Sequence, residues 1–472
     1  MACYWPFTFM TRFLVRCRWD NSLRFSSKDN LSGVQGKLNP LKNQQRKRHK
    51  KLTWAGDLSW EERLASVATP LWRLSYDEQL QIKQNHQKNI LKHLCGGGNI
   101  TFPVLPILPS PVKDGYRNKS TFSVNRGVDG NPKTVGFYVG KGKHGNIVCV
   151  NGDHLPNMPE KHKQVARCYQ EFIRRSSLEP CLLFHKGGHW REITVRTNAA
   201  GHTMAVVYFH PQTLNREDIA AHTADLTEFF TKGAGSACEL HSLYFQESTM
   251  TRCTHEDSPY QLLYGQTHIY EQMLGFSFRI SPDAFFQVNQ AAAQVLYSTI
   301  RDLCVPISED RSGTLLDVCC GTGAMGITAS PRVQRLVGVE VVEQAVEDAR
   351  YNAALNKLDK CEFIAGKAEV VLPGLISRLT SDDGCLTAVV NPSRAGLHHR
   401  VIQALRNQPA IRRLIYVSCK PDGEAMRNFI ELCCSPDPKK KLKGDAFSPS
   451  LAVPVDMFPH TVHCELVILF ER

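Results

Sequence analysis

Two side chains near the end of the chain have the makings of a nucleophile and a base. Cys419 stands in Tyr416-Val417-Ser418-Cys419-Lys420-Pro421, directly after an apolar strand expected over Arg413 to Val417. A thiol attacks as its thiolate, and a flanking cation such as Lys420 favours that form. Most cysteines are small buried hydrophobes, the reading taken for Cys320, Cys361 and Cys464. Position alone leaves Cys419 either a nucleophile or one more of these. Glu465 opens a final apolar strand after Phe458-Pro459-His460-Thr461-Val462-His463-Cys464. An acid there is either a proton acceptor or a solvated strand end.

A third feature points to a cofactor. Leu315-Leu316-Asp317-Val318 reads as a buried strand, Cys319-Cys320-Gly321-Thr322-Gly323 as a tight turn, and Ala324 to Ala329 as a helix start. Glycines at 321 and 323 let the backbone pass close to a ligand. The next strand, Arg335 to Val339, ends at Glu340, 23 residues beyond Asp317. An acid at that place commonly holds a ribose. The loop lacks the signal of a pyrophosphate binder, and Asp-x-x-x-Gly-x-Gly fits S-adenosylmethionine better. An ordinary strand–turn–helix has the same pattern.

These groups need a scaffold that brings strand ends together. Leu386 to Val390 is another buried strand and runs into Asn391-Pro392-Ser393-Arg394-Ala395-Gly396-Leu397. Asp317, Glu340, Asn391 and Cys419 thus all follow strands, and in a doubly wound sheet ligands sit beyond the carboxyl ends of strands. Between the strands, Glu343 to Asn356 reads as an amphipathic helix with Val346 and Ala349 inward. Ser281-Pro282-Asp283 predicts a helix from there to about Leu303, with Ser281 as its cap.

The 472 residues allow two or three domains. Helical pattern runs from Trp54 to His93, and Pro103, Pro106, Pro109 and Pro111 then mark a linker or an edge crossing. Strands are expected over Lys119–Val124, Thr134–Val139, Ile147–Val150, Trp190–Thr197 and Thr203–Phe209, with a helix near Lys163–Ser176. Hairpin turns are expected at Asp129-Gly130-Asn131-Pro132 and at Lys141-Gly142-Lys143-His144-Gly145. The expected fold class is α/β: a class I (Rossmann-like) domain over 280–472, a central α+β domain over 100–279, and a basic linker with a helical segment over 29–99.

Hydrophobic residues make up 42% of the chain and mean hydropathy is -0.28, a soluble composition with no apolar run long enough for a membrane helix. The 17 cysteines form no Cys-x-x-Cys pair, which argues against zinc ribbons and for a reducing compartment. Residues 1–60 hold 12 Lys/Arg against 3 acids, so nine of the twelve net positive charges sit there. Arg12, Arg16, Arg18 and Arg24 with Asp20 as the one acid suit a mitochondrial transit peptide over 1–28, cut near Arg24-Phe25-Ser26-Ser27, or else a basic tail. The run Lys42 to Lys51 would hold RNA phosphates, act as a nuclear signal, or serve as a solvated linker.

Taken together, Phe285-Phe286-Gln287-Val288-Asn289, the Asp317 loop, Asn391 to Gly396, Tyr416 to Pro421 and Pro459-His460-Thr461-x-His463-x-Glu465 occur in an order that resembles the RNA (uracil-5-)-methyltransferase family. That family makes 5-methyluridine in tRNA and rRNA. The resemblance is strong over 280–472 and weaker over 100–270, which looks like the family's central RNA-side domain. It implies that Cys419 adds to uracil C6 and that Glu465 takes the C5 proton. It also implies that Gln287, Cys319, Gly321, Gly323, Glu340 and Asn391 hold S-adenosylmethionine, with Glu340 on the ribose. The partner implied is RNA, a tRNA T-loop or an rRNA uridine, with the target base splayed out, in the mitochondrial matrix.

The chain departs from the family pattern in places. Asn391-Pro392-Ser393-Arg394 stands where Asp-Pro-Pro-Arg is usual, which loses a negative charge, and Lys420 stands where Asn is common. The close cysteine spacing of members with iron–sulfur clusters is missing, and no metal is expected. Two other readings compete: an amino-methyltransferase of the same fold, which leaves Cys419 and Glu465 unemployed, and an RNA-binding pseudoenzyme.

Overall fold

Two seven-stranded sheets and one hairpin organise the described residues. The computed structural model describes residues 58–140, 147–182, 187–249, 258–305, 313–380 and 386–472. The expected transit peptide, the basic run over 42–51 and the expected turn at 141–145 lie outside the described residues. Helices α1 (Trp60–Ala68) and α2 (Tyr76–Leu94) each start in a capping box, Ser59 with Glu62 and Ser75 with Glu78. The burial on α2 departs from its apolar pattern in the first half, where Gln79, Lys83 and Gln87 are buried while Ile82 is exposed, and follows it at Ile90 and Leu91.

The central sheet contains β1 (Lys119–Asn125), β2 (Thr134–Val139), β3 (Val148–Val150), β4 (Trp190–Thr197), β5 (Thr203–Phe209), β6 (Ser242–Glu247) and β7 (Gln261–Gly265), in the order β3-β2-β1-β4-β5-β6-β7. Alternation along the strands sends Phe122, Ile193, Val195, Val207 and Phe245 to one face. There they pack with Val165, Tyr169 and Phe172 of α3 (Glu160–Arg175) and Leu226 and Phe230 of α4 (Arg216–Thr231). On the other face, Met204, Val206, Tyr208 and Tyr244 join the core of the hairpin β8 (Ile269–Met273) and β9 (Phe276–Ile280).

The second sheet is the doubly wound one. After α5 (Gln290–Leu303) come β10 (Thr314–Val318), α6 (Ala324–Ala329), β11 (Arg335–Glu340), α7 (Glu343–Leu355), β12 (Cys361–Ala365), α8 (Ala368–Thr380), β13 (Leu386–Val390), α9 (His399–Asn407), β14 (Ile411–Ser418), α10 (Glu424–Cys433), β15 (Ser448–Val455) and β16 (Glu465–Glu471). The strand order is β12-β11-β10-β13-β14-β16-β15. The first five are parallel, and β16 runs antiparallel to both neighbours. Leu315, Val389 and Ile415 face a core shared with α5, α6 and α7. Leu316, Val318, Val337 and Tyr416 face the opposite core with α8, α9 and α10. Burial on both faces explains why these strands read as unbroken apolar runs. The order reverses at β10, so the crevice beyond its end lies between β10 and β13.

The proline-marked segment over 103–111 runs along the sheet edge, with bridges from Val104 to Ala452 and Leu108 to Val455. One boundary differs from expectation. The helix expected from Ser281 begins at Gln290, and its cap is Asn289, whose Oδ1 accepts the Ala292 N–H at 3.1 Å. Ser281 is diverted: its hydroxyl donates to Asp348 Oδ2 at 2.7 Å. The segment between is drawn onto β1's approach, where the Asn118 N–H donates to Val288 O at 2.8 Å. Tertiary partners outweigh a local capping signal here.

Asn289 is fully buried, and its Nδ2 also donates to Ser110 Oγ at 3.0 Å and Met457 O at 3.1 Å. Asn289→Ala removes the cap and strands two buried acceptors, so urea denaturation should register a loss of about 1–3 kcal/mol.

Candidate active site

The turn after β10 is built by its backbone. Cys319 adopts φ +64, a left-handed conformation unusual for a residue with a Cβ. Its N–H and that of Cys320 both donate to Val339 O on β11, at 2.9 and 3.2 Å. Gly321 and Gly323 follow at φ +55 and +78. A side chain at Gly323 would press within 3.1 Å of Ala349 and the Phe363 ring, whereas the space beside Gly321 is open.

Asp317 is fully buried beneath this turn. Its Oδ2 accepts the Gly326 N–H at 3.0 Å, and among the described residues its Oδ1 has no hydrogen-bond partner. Burial pushes its carboxyl up to about 7; the Gly326 N–H opposes the rise and the Glu340 charge adds to it. Glu340 ends β11 and is tied to the same turn. Its Oε2 accepts the Gly321 N–H at 3.0 Å, and its Oε1 accepts the N–H groups of Val341 at 2.8 Å and Val342 at 3.1 Å. The carboxylate is therefore aimed, with exposed Val341 and Val342 beside it. Asn391 follows β13 and meets the same turn, its N–H donating to Val318 O at 3.3 Å. Gln287 is buried on the 281–288 segment, where its main-chain oxygen accepts from Asn118 Nδ2 at 2.9 Å. Its hydrogen bond runs to the approach of the central sheet, not to the glycine turn.

Cys419 and Glu465 meet because β14 and β16 are antiparallel. The ladder ends with Ser418 on Leu466, Cys419 directly follows one and Glu465 directly precedes the other, and they lie close enough for the Glu465 charge to act on the thiol. Glu465 is 4% exposed, and its Oε2 has no partner. Burial pushes its carboxyl up to about 7, against the pull of the Arg394 guanidinium. Burial likewise raises the half-buried Cys419 thiol, and the Glu465 charge adds to the effect. A hydrogen bond and the charge of Arg394 oppose both.

The cation acting on the thiol is thus Arg394, not Lys420. The turn after β14 closes with the Lys420 N–H on Ser418 Oγ at 3.2 Å, and the Lys420 side chain is exposed. Arg394 was visible in sequence as part of the polar loop after β13, but nothing local assigns it to a cysteine 25 positions away. Asn428 of α10 carried no signal. It steadies this loop: its Oδ1 accepts the Leu397 N–H at 2.7 Å and the Tyr416 hydroxyl at 2.9 Å, and its Nδ2 donates to Leu397 O at 3.1 Å.

A doubly wound sheet with an aimed acid after its second strand and an open glycine turn defines a class I methyltransferase fold. A family model described as tRNA (Uracil-5-)-methyltransferase matches residues 266–472. The chain is 62% identical over 453 residues to tRNA (uracil-5-)-methyltransferase homolog B of Danio rerio, covering 94% of this chain and 93% of that one. It is 56% identical over 433 residues to the Homo sapiens homolog B, covering 88% and 85%. The solved Pyrococcus abyssi tRNA (uracil-54, C5)-methyltransferase, in complex with S-adenosyl-L-homocysteine, matches with a TM-score of 0.61 and 25% identity over 86% of each chain. The chain belongs to the tRNA (uracil-5-)-methyltransferase family.

It is an S-adenosylmethionine-dependent enzyme of uridine C5 methylation, and its substrate is RNA. The residues present fit that cofactor. The Glu340 carboxylate, an acceptor suited to ribose hydroxyls, is fixed beside the turn, the face of Gly321 is open, and among the described residues the buried Asp317 Oδ1 has no partner. Among the described residues, no cluster of three or more His, Cys, Asp or Glu side chains is arranged to hold a metal, and no helix is long and apolar enough to cross a membrane.

The Arg394 contact is testable without RNA. Arg394→Ala should move the pH at which iodoacetamide half-maximally alkylates Cys419 upward, read by peptide mass spectrometry. An unmoved profile would mean that the guanidinium does not act on the thiol.

Proposed function

We propose that this chain methylates C5 of a T-loop uridine in mitochondrial tRNA, or of a uridine in mitochondrial rRNA, with Cys419 as nucleophile and Glu465 as proton acceptor. The observation that carries the reading is the closeness of these two side chains at the end of the β14–β16 ladder, with Arg394 acting on the thiol. The T-loop site rests on the uracil-54 named for the archaeal protein. Mitochondrial placement rests on the Arg-rich, acid-poor start of the chain.

Uracil C5 is too weak a nucleophile to take a methyl group unaided. The Cys419 thiolate forms a bond to C6, and the C5–C6 π electrons move onto C5 and the C4 carbonyl as an enolate. Bound S-adenosylmethionine supplies an electrophilic methyl group on a positively charged sulfur. With the methyl on C5, the Glu465 carboxylate removes the C5 proton. The freed electron pair restores the C5–C6 double bond and expels the Cys419 thiolate. Arg394 favours the thiolate at both ends of this cycle, and Glu340 and the Cys319–Gly323 turn hold the cofactor. A carboxyl held near neutrality suits Glu465 to taking a proton and losing it again.

Four outcomes are expected. Cys419→Ala should abolish turnover, whereas Glu465→Gln should transfer the methyl and then stall, leaving RNA covalently bound on denaturing gels; free product from Cys419→Ala would refute the nucleophile. Wild-type turnover should rise with pH through about 7, because below that value Glu465 is protonated and the thiolate is scarce. Asn391→Asp, which restores the family's usual acid, should keep or raise kcat; a large loss would show that the amide itself is needed.

A further inference from the structure

Glu465 is delivered by the loop between β15 and β16, and that loop stands on the N-terminal helix α2. Asp456, its first residue, and Lys83 of α2 are both completely buried, with Lys83 Nζ donating to Asp456 Oδ1 at 2.6 Å. The same Nζ donates to Phe458 O at 2.9 Å, and Asp456 Oδ1 also accepts the Phe458 N–H at 3.1 Å. The Tyr76 hydroxyl donates to Asp456 Oδ2 at 3.0 Å and accepts the Ser110 N–H at 2.7 Å. One turn before Lys83, Gln79 Oε1 accepts the His460 N–H at 2.7 Å. The Leu71 N–H donates to His460 O at 2.9 Å, and the Tyr116 hydroxyl to Pro459 O at 3.0 Å. Residues 71 to 116 thus contact the main chain of every residue from 458 to 460, including His460 at φ +67, alongside the loop's own bonds from Phe458 to Asp456 and from Thr461 to Phe458.

Gln79 and Lys83 are four apart, so they share one helical face, and that face is the buried polar one. A buried ion pair is a poor device for stability, since two apolar side chains of the same size serve as well or better. What this pair supplies is position: Nζ fixes both a carboxylate and a carbonyl, and the loop they fix ends at Glu465. Helix α2 lies outside residues 266–472, the part matched by the family model.

We propose that Lys83 and Asp456 are positioning residues for proton removal, holding the 456–464 loop so that the Glu465 carboxylate reaches C5 of the target base. The inference rests on the reading of Glu465 as the proton acceptor. It assigns the N-terminal helix a part in the chemistry, acting through the loop and not on the substrate.

The test compares full-length wild type, Glu465→Gln, Lys83→Met and the neutral double variant Lys83→Met with Asp456→Asn, in single turnovers with a tRNA transcript and S-adenosylmethionine. Cofactor binding by calorimetry, methyl incorporation and release of free RNA are read separately. In Lys83→Met, cofactor binding and methyl incorporation should stay near wild type while release slows about 100-fold, the cost of a misplaced group, and RNA-bound enzyme accumulates. Lys83→Met strands a buried carboxylate and so risks unfolding; the double variant leaves no unpaired charge and should fold with the same slow release. Release at the wild-type rate in the double variant, or equal losses of binding, methylation and release in either, would overturn the proposal. Failure of Glu465→Gln to accumulate RNA-bound enzyme would overturn the base assignment and this proposal with it. Accumulation in Glu465→Gln but in neither Lys83 variant overturns the clamp alone.

Discussion

β16 runs against β14, and the register of that one ladder decides which residues meet in the crevice. With Ser418 on Leu466, the end of β14 faces the start of β16, so a thiol and a carboxyl 46 positions apart in sequence become neighbours. A parallel strand in that place would put its first residue at the opposite edge of the sheet. The cofactor side has no such need. Its groups follow β10, β11 and β13, which are parallel, and their carboxyl ends gather at one edge through topology alone. The closeness of Cys419 and Glu465 thus depends on the single strand that breaks the sheet's direction.

Burial sets the protonation chemistry. Asp317 and Glu465 sit in the low-dielectric interior with one oxygen each unpartnered, and both carboxyls are pushed up to about 7. Arg394 acts on both Cys419 and Glu465 from the loop after β13. Its reach depends on Asn428, which pins Leu397 from both backbone groups, and on Gly396 at φ +69, where a side chain would come within 2.7 Å of Asn428 Oδ1. The buried Asn428 amide thus fixes the end of the polar loop that carries Arg394.

Much of this was legible in sequence, and the illegible part has physical causes. The parallel strands announced themselves because strands buried on both faces must be apolar throughout. Glu340 and the glycine turn were legible because their spacing follows from one strand–helix–strand unit. Ser281 was misread as a cap because its hydroxyl is claimed by Asp348, 67 positions away. Lys420 was favoured as the thiol's cation for adjacency, while the turn after β14 turns it outward and the loop after β13 brings Arg394 in. Helix α2 hid its role most fully. Its apolar residues suggest an ordinary packed face, which Ile90 and Leu91 do form near its end, yet over its first turns Ile82 is exposed and the buried residues are Gln79, Lys83 and Gln87. Polar residues become the inner face only when distant groups pair with them, and nothing local records that.

The central claim is that the Cys419 thiol adds to C6 of the target uracil, and a trapped adduct tests it most directly. A tRNA transcript containing 5-fluorouridine is incubated with the enzyme and S-adenosylmethionine, denatured and digested for mass spectrometry. Fluorine on C5 cannot leave as a proton, so the final elimination stops. The expected result is a stable enzyme–RNA species with the nucleotide on Cys419, absent from Cys419→Ala. Cofactor binding with no adduct, or an adduct on another residue, would contradict the assignment.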